Sequence, residues 1–247
     1  MVDQATGLHG PDSEPLNILA IDTSTTQAAV AILTRDGAVH VAAAGGDRQH
    51  GRTLLPSVRA ALGAAGLTAS DLDVVAVGLG PGSYTGLRIG LMAAKTLAYA
   101  TGRPLVGLDS LEVIARNAPV DAERVTVVAD AQRGDYYTAD FVRHVPGGPL
   151  VRLIPTRIEA QKPLTVHLVA GVFVIGPGLE RLRPDLPPFA RGADPESNWP
   201  EGHNLLRLAR ESWDAGLRAD PLFIEPHYLR RSAAEDLWDA RDKRGGS

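Results

Sequence analysis

Two stretches of this chain follow one plan, and that repetition restricts the folds open to it more than any single motif. From Leu16 to Ile21 an apolar strand runs into Asp22 and the polar turn Thr23, Ser24, Thr25, Thr26, and a second strand, Ala28 to Leu33, follows at once. Asp, Ser and Thr side chains bond their own backbone in turns, so the pair reads as a hairpin. From Val125 to Ala129 another apolar strand runs into Asp130, and after the turn Ala131 to Asp135 a strand returns from Tyr136 to Val142. A Gly-Pro-Gly turn also occurs twice: Gly80 to Gly82 after the strand Val74 to Val77, and Gly176 to Gly178 after the strand Leu168 to Ile175. Two lobes of βββαβα plan accommodate both repeats, although residue identity between the halves is low.

The remaining elements fit into that frame. Val39 to Ala44 reads as a third, weaker strand, and Leu54, Leu55, Val58, Ala61, Leu62 and Ala65 recur at helical spacing over Thr53 to Ala65. After the first Gly-Pro-Gly turn, Tyr84 opens a helix reaching Ala100, in which Gly86, Gly90 and Ala94 stand four apart on one face. Small residues at that spacing let another element approach closely, either within the chain or from another one. Leu105 to Leu108 is a short strand, and Asp109 or Ser110 caps a helix from Leu111 to Asn117. In the second half the pattern predicts an extended piece at Val151 to Ile154, a short helix near Arg157 to Gln161 and a long surface loop from Arg183 to Pro200. A helix from His203 to Ala215, an extended stretch Pro221 to Pro226 and a turn with a last helix over Tyr228 to Arg241 follow. The expected division is a disordered lead-in at 1–15, an N-terminal lobe at 16–118 and a C-terminal lobe with a helical tail at 119–247.

Several chemistries are excluded early. The string GPGSYTG is followed by no Lys-Ser or Lys-Thr, so it is not a P-loop; Ser83 stands where a dinucleotide fingerprint needs Gly; and Ser83 lacks the flanking glycines of a nucleophile elbow. The 247 residues include no cysteine, which rules out disulfides and thiolate chemistry and suits a cytoplasmic setting. Seven histidines include no pair at helical spacing, so a zinc site is not expected. The formal charge is −4, which argues against a chain that grips nucleic acid by itself. No apolar run approaches the roughly 20 residues of a membrane helix.

Two lobes that each begin with a strand, an Asp and a polar turn resemble the actin-like ATPase (ribonuclease H-like) α/β fold. That resemblance implies a first phosphate loop at Asp22, Thr23, Ser24 and Thr25, a second at Asp130, Gln132 and Gly134, and Gly176 and Gly178 near adenosine. Arg133 stands in the second loop, with no second acidic or hydroxyl pair before Asp135 and no evident base to activate an attacking group.

Four strings in order, DTSTTQAAVAIL, GPGSYTGLRIG, VVADAQRGDYYTADF and PHYLRRSAAEDLW, resemble the bacterial TsaB family, also called YeaZ, over most of residues 16–238. The resemblance implies a cytoplasmic, non-catalytic scaffold and activator in making threonylcarbamoyladenosine in tRNAs that read codons starting with adenine. The transfer itself would belong to a metal-holding paralogue, TsaD. An ATPase, TsaE, would join the assembly, the chain alone would form a homodimer, and tRNA would be met only through the complex. No cofactor is implied for the chain, with ATP or ADP placed at the junction with the TsaD-type partner. Where TsaD-type proteins carry metal-binding histidines, this chain has Asp109, Ser110 and Val113. The helices of the N-terminal lobe would carry the partner surface, through Leu54, Val58, Leu62, Gly86, Arg88, Gly90 and Ala94. The competing readings are a stand-alone ATP-dependent phosphotransferase and a metalloprotease, the second of which lacks ligands.

Overall fold

The structure is a computed structural model that describes residues 14–43 and 50–230. The tail helix expected beyond Arg230 and most of the lead-in lie outside the described residues. The first sheet is built from β1 (Ile18–Asp22), β2 (Ala29–Leu33), β3 (Val39–Ala43), β4 (Val74–Gly78) and β5 (Leu105–Leu108), in the order β3-β2-β1-β4-β5. β1, β2 and β3 form an antiparallel meander, while β4 pairs with β1 and β5 with β4 in parallel. The runs ILAID, AVAIL and VVAVG are buried at every position. A strand that is apolar on both faces needs both faces covered. Helices α1 (His50–Ala64) and α2 (Tyr84–Thr101) cover one face, through Leu54, Val58, Leu91 and Ala94 against Leu19, Ile21, Val75 and Val77.

The other face is covered from far along the chain. Helix α6 (Gly202–Asp214) sets Leu205, Leu206, Leu208 and Ala209 against Ile18, Ala20, Ala31, Val74 and Val106. Burying each leucine contributes about 2 kcal/mol, and among the described residues α6 supplies most of the helical apolar cover for that side of the sheet, with Val113 adding to it. The strand Leu105–Leu108 also forms an isolated antiparallel bridge with Ala219. A division of the chain at 118/119 therefore misplaces α6 and the segment after it, which pack with the first sheet.

The second sheet comprises β6 (Arg124–Asp130), β7 (Asp135–Arg143), β8 (Leu150–Ala160), β9 (Phe173–Ile175) and β10 (Arg191–Gly192), in the order β10-β9-β6-β7-β8. Counted within each lobe, both sheets have the order 3-2-1-4-5 with the same sense of pairing. Helix α4 (Gln161–His167) and helix α5 (Leu179–Leu182) complete the second βββαβα unit. Helix α3 (Ser110–Ala115) joins the lobes: Leu111, Ile114 and Ala115 enter the core of the second sheet, and Val113 that of the first.

Three local expectations are corrected. The helix expected at Arg157 to Gln161 is strand as far as Ala160, because Ile158 and Ala160 pair with Tyr137 and Asp135 and Arg157 bridges Asp140 and Glu159 along the sheet. Pro155 is tolerated there because β8 is an edge strand, where a missing donor costs little. The strand expected from Leu168 begins only at Phe173, since Gly171 turns the chain at φ +77°. The stretch Arg183 to Pro200 is not a plain loop: it holds two 3-10 turns, Arg183–Asp185 and Pro195–Asn198, and the edge strand β10 between them.

Candidate functional site

The turn after β1 is folded into the protein. The Ser24 backbone N–H donates to Asp22 Oδ1 at 2.7 Å, closing a local turn. Asp22 is fully buried, and burial pushes its carboxyl above the usual carboxylate range, against the opposing pull of the Ser110 and Ser24 donors. Two of the hydroxyls that would meet a phosphate are already committed, Thr23 Oγ1 donating to Gly86 O at 2.7 Å and Thr25 Oγ1 to Gln27 O at 2.6 Å, while the Ser24 Oγ is buried. Ser24 O accepts from the Ser83 N–H at 2.7 Å.

What lets this turn sit so close is the glycine face of the following segment. A Cβ on Gly82 would fall 2.2 Å from Ser24 O, one on Gly86 2.1 Å from Thr23 O, and one on Gly90 2.1 Å from Thr23 Oγ1. The small-residue stripe of α2 therefore receives this chain's own β1–β2 turn. Ala94, Leu54 and Val58 are buried in the core of the first sheet, Leu62 is half-buried, and Arg88 alone of the seven residues expected at the partner surface is exposed. As a set, those seven do not form a surface: five of them are spent inside the lobe. The outer side of α1 and α2 carries instead Leu55, Met92 and Tyr99, exposed by 61%, 61% and 81%. Met92 and Tyr99 stand one residue past the buried Leu91 and Ala98, about 100° around the helix from the core stripe. Apolar residues just off a complete core stripe were the sequence signal for them.

The turn after β6 stays in solvent. Asp130, Gln132 and Gly134 are exposed, and the turn needs positive φ at Gln132 (65°), Arg133 (57°) and Gly134 (86°). The Gln132 N–H donates to Asp130 Oδ1 at 2.9 Å, and Arg181 pairs with the same carboxylate at 3.1 Å while lying over the Tyr136 ring at 4.0 Å. Gly176 and Gly178 do not face the turn's ligand side. They crowd β6, where a Cβ on Gly176 would fall 2.4 Å from Val128 O, and the Gly178 N–H donates to that same oxygen at 2.9 Å.

The structure does bring the two turns to face each other. Ser24 and Thr25 on one side, Asp130 and Gln132 on the other, line a cleft of about 970 Å³ whose mouth also includes Tyr84 and Arg230. The residues present do not fit a metal-bridged phosphate of the actin-like kind. Asp22 is absent from the lining, Thr23 and Thr25 donate to the chain itself, and Asp130 is held by Arg181. Among the described residues no group of three His, Asp or Glu side chains converges. Where a histidine ligand set is expected of the transferase, Asp109 Oδ1 accepts from the Glu112 N–H at 2.9 Å as the cap of α3, its other oxygen pairs with Arg152 at 2.9 Å, and Ser110 Oγ accepts from the Gly80 N–H at 3.0 Å. These residues hold the Gly80 turn and α3 in place.

Two copies of a 3-2-1-4-5 sheet facing each other over a cleft define an actin-like two-lobed α/β protein. Comparison with known proteins narrows this. The family model for TsaD, tRNA N6-adenosine threonylcarbamoyltransferase, matches residues 26–148. The tRNA threonylcarbamoyladenosine biosynthesis protein TsaB of Escherichia coli is 32% identical over 231 residues, 89% of this chain and 96% of that protein. The TsaB of Bacillus subtilis is 34% identical over 140 residues, 57% of this chain and 60% of that protein. The structure of YeaZ from Pseudomonas aeruginosa superposes with a TM-score of 0.74 at 30% identity, covering 87% of this chain and 100% of that one. The chain belongs to the TsaB (YeaZ) family.

Proposed function

We propose that this chain takes part in forming N6-threonylcarbamoyladenosine in tRNAs reading codons that start with adenine, as a non-catalytic scaffold and activator of a TsaD-type transferase. The observation that carries the reading is the fate of the first Asp turn. Its carboxyl is buried, the Thr23 and Thr25 hydroxyls are bonded within the chain and the Ser24 Oγ is buried, so the position from which an actin-like enzyme would work on a phosphate supports packing instead. The outward residues Leu55, Met92 and Tyr99 on α1 and α2 offer an apolar surface of the kind that a partner covers, and they form the proposed docking face for the transferase or, in its absence, for a second copy. A TsaE-type ATPase joins that assembly, tRNA is engaged through the complex, and any ATP or ADP is held at the junction with the transferase. The work is cytoplasmic in this reading.

The test is to purify the chain alone and with the TsaD-type protein of the same genome, and to measure ATP turnover and threonylcarbamoyl incorporation into tRNA. Modification is expected only with both proteins, and M92D with Y99D should abolish pairing while leaving the melting curve of the isolated chain in place. Robust phosphotransfer by the isolated chain would overturn the scaffold reading.

A further inference from the structure

The segment after α6 does more than end the first lobe. It pairs with β5 at Ala219, the His227 N–H donates to Leu79 O at 2.8 Å, and Tyr228 then lies against Tyr84 at the start of α2, with ring centroids 5.0 Å apart. Arg88, one turn along α2, closes the group: its Nε donates to the Tyr228 hydroxyl at 3.1 Å and its guanidinium stands 4.1 Å from the centre of the Tyr84 ring. Two residues later the chain has crossed to the other lobe, where Arg230 is ion-paired with Asp135 at the start of β7. His227, Tyr228 and Arg230 all line the cleft.

We propose that Tyr228 and Arg230 form a clasp that fixes the opening of the interlobe cleft, with one point of attachment on α2 and the other on the β6–β7 turn. Two lobes joined by limited contact move relative to one another by default. Here α3 supplies a shared, packed connection that can serve as the hinge, and Arg152 with Asp109 adds an ion pair beside it. The clasp restrains the mouth of the cleft with contacts that can open at small cost. A cation stacked on a partly exposed aromatic ring and a partly exposed ion pair are each weak contacts that solvent screens. Arg88 lies on the solvent side of α2, so a molecule that engages that side competes for the group holding Tyr228 and releases the second lobe. The clasp itself stands on intramolecular contacts and does not depend on the identity of any partner.

The chain has no cysteine, so A60C with E180C places spin labels on exposed sites of α1 and α5, one in each lobe, for distance measurement on the full chain. The expected result is one narrow interlobe distribution that broadens about twofold in R230A and in Y228A, the response of lobes set free to move about a hinge. The swapped pair R230D with D135R should restore the narrow distribution. Y228F, which removes only the hydroxyl bonded to Arg88, should give an intermediate width and keeps the test open if a larger change disturbs folding. A distribution unchanged in R230A and Y228F, with melting curves intact, overturns the clasp whatever the outcome of the transferase assays.

Discussion

The turn after β1 and the turn after β6 leave equivalent strands of two sheets with the same order, and each begins with Asp. Their surroundings differ completely. Asp22 is buried beneath Gly78, where a Cβ would fall 2.1 Å from its Oδ2, and its turn is pressed into the glycine face of α2. Asp130 keeps half of its side chain in water and bonds to its own turn and to Arg181. A duplicated fold fixes where such turns lie, while the neighbouring element decides whether they can do chemistry. In the first lobe a long helix with Gly86 and Gly90 seals the turn; in the second the corresponding helix is the four-residue α5, and the turn stays open.

The largest effect that follows from this contrast concerns the seal. G90V should destabilise the chain by about 3 kcal/mol or more, because the added atoms meet Thr23 with no room to relax, whereas G134A should cost about 1 kcal/mol, from its positive φ alone, since nothing lies within 4 Å. Urea denaturation of both variants checks the ordering. A G90V chain as stable as the parent, but unable to pair with a transferase, would return the stripe to an intermolecular role and break the contrast.

Next in size is the buried carboxyl. The folded state holds the Asp22 proton more tightly than the unfolded chain does, because burial disfavours the anion. Stability contributed by this group is therefore greatest at pH values below its ordinary range and declines as pH rises toward its elevated folded value. D22N, which keeps the acceptor for the Ser24 N–H, should remove that decline and leave the chain equally stable or about 1 kcal/mol more stable at neutral pH. Denaturation midpoints between pH 4 and pH 8 give the slope. A marked loss of stability at neutral pH would mean that the anion has a counter-charge, and that the first turn is a live site.

Much of the architecture could be read from residues, and the reasons for the exceptions are physical. The Asp-ended strands are short continuous apolar runs, the Gly-Pro-Gly turns are punctuation and the α1 and α2 stripes have a period of 3.6; all are local patterns, and each is found within two or three residues of its expected place. The placement of α6 on the first sheet is a long-range choice, made by which apolar face lacks cover, and no local pattern encodes it. The local pattern ends the extended piece at Ile154 and suggests a helix near Arg157, whereas β8 continues because Asp140 and Thr138 stand across the sheet from Arg157 and Glu159. In the candidate site, the two turns facing a cleft were readable from the duplication. Which side of α2 was internal was not, because a four-residue glycine spacing accepts a turn of the same chain as readily as a helix of another.

The smallest effect separates the two turns most sharply. D130A removes a half-exposed carboxylate with its pairing to Arg181 and its bond from the exposed Gln132 N–H, which water can replace, and exposed ion pairs contribute about 0–1 kcal/mol. Arg181 keeps its place without it, since its Nε donates to the Tyr136 hydroxyl at 2.9 Å, a second nitrogen donates to Asp135 O at 2.8 Å, and the guanidinium rests on the Tyr136 ring. The melting temperature of D130A should therefore stay within about 2 °C of the parent, and tRNA modification in the presence of the transferase should be unchanged. A loss of modification with stability intact would make Asp130 a working group in the complex. The open turn of the second lobe would then be the one that retained chemistry after the first was sealed.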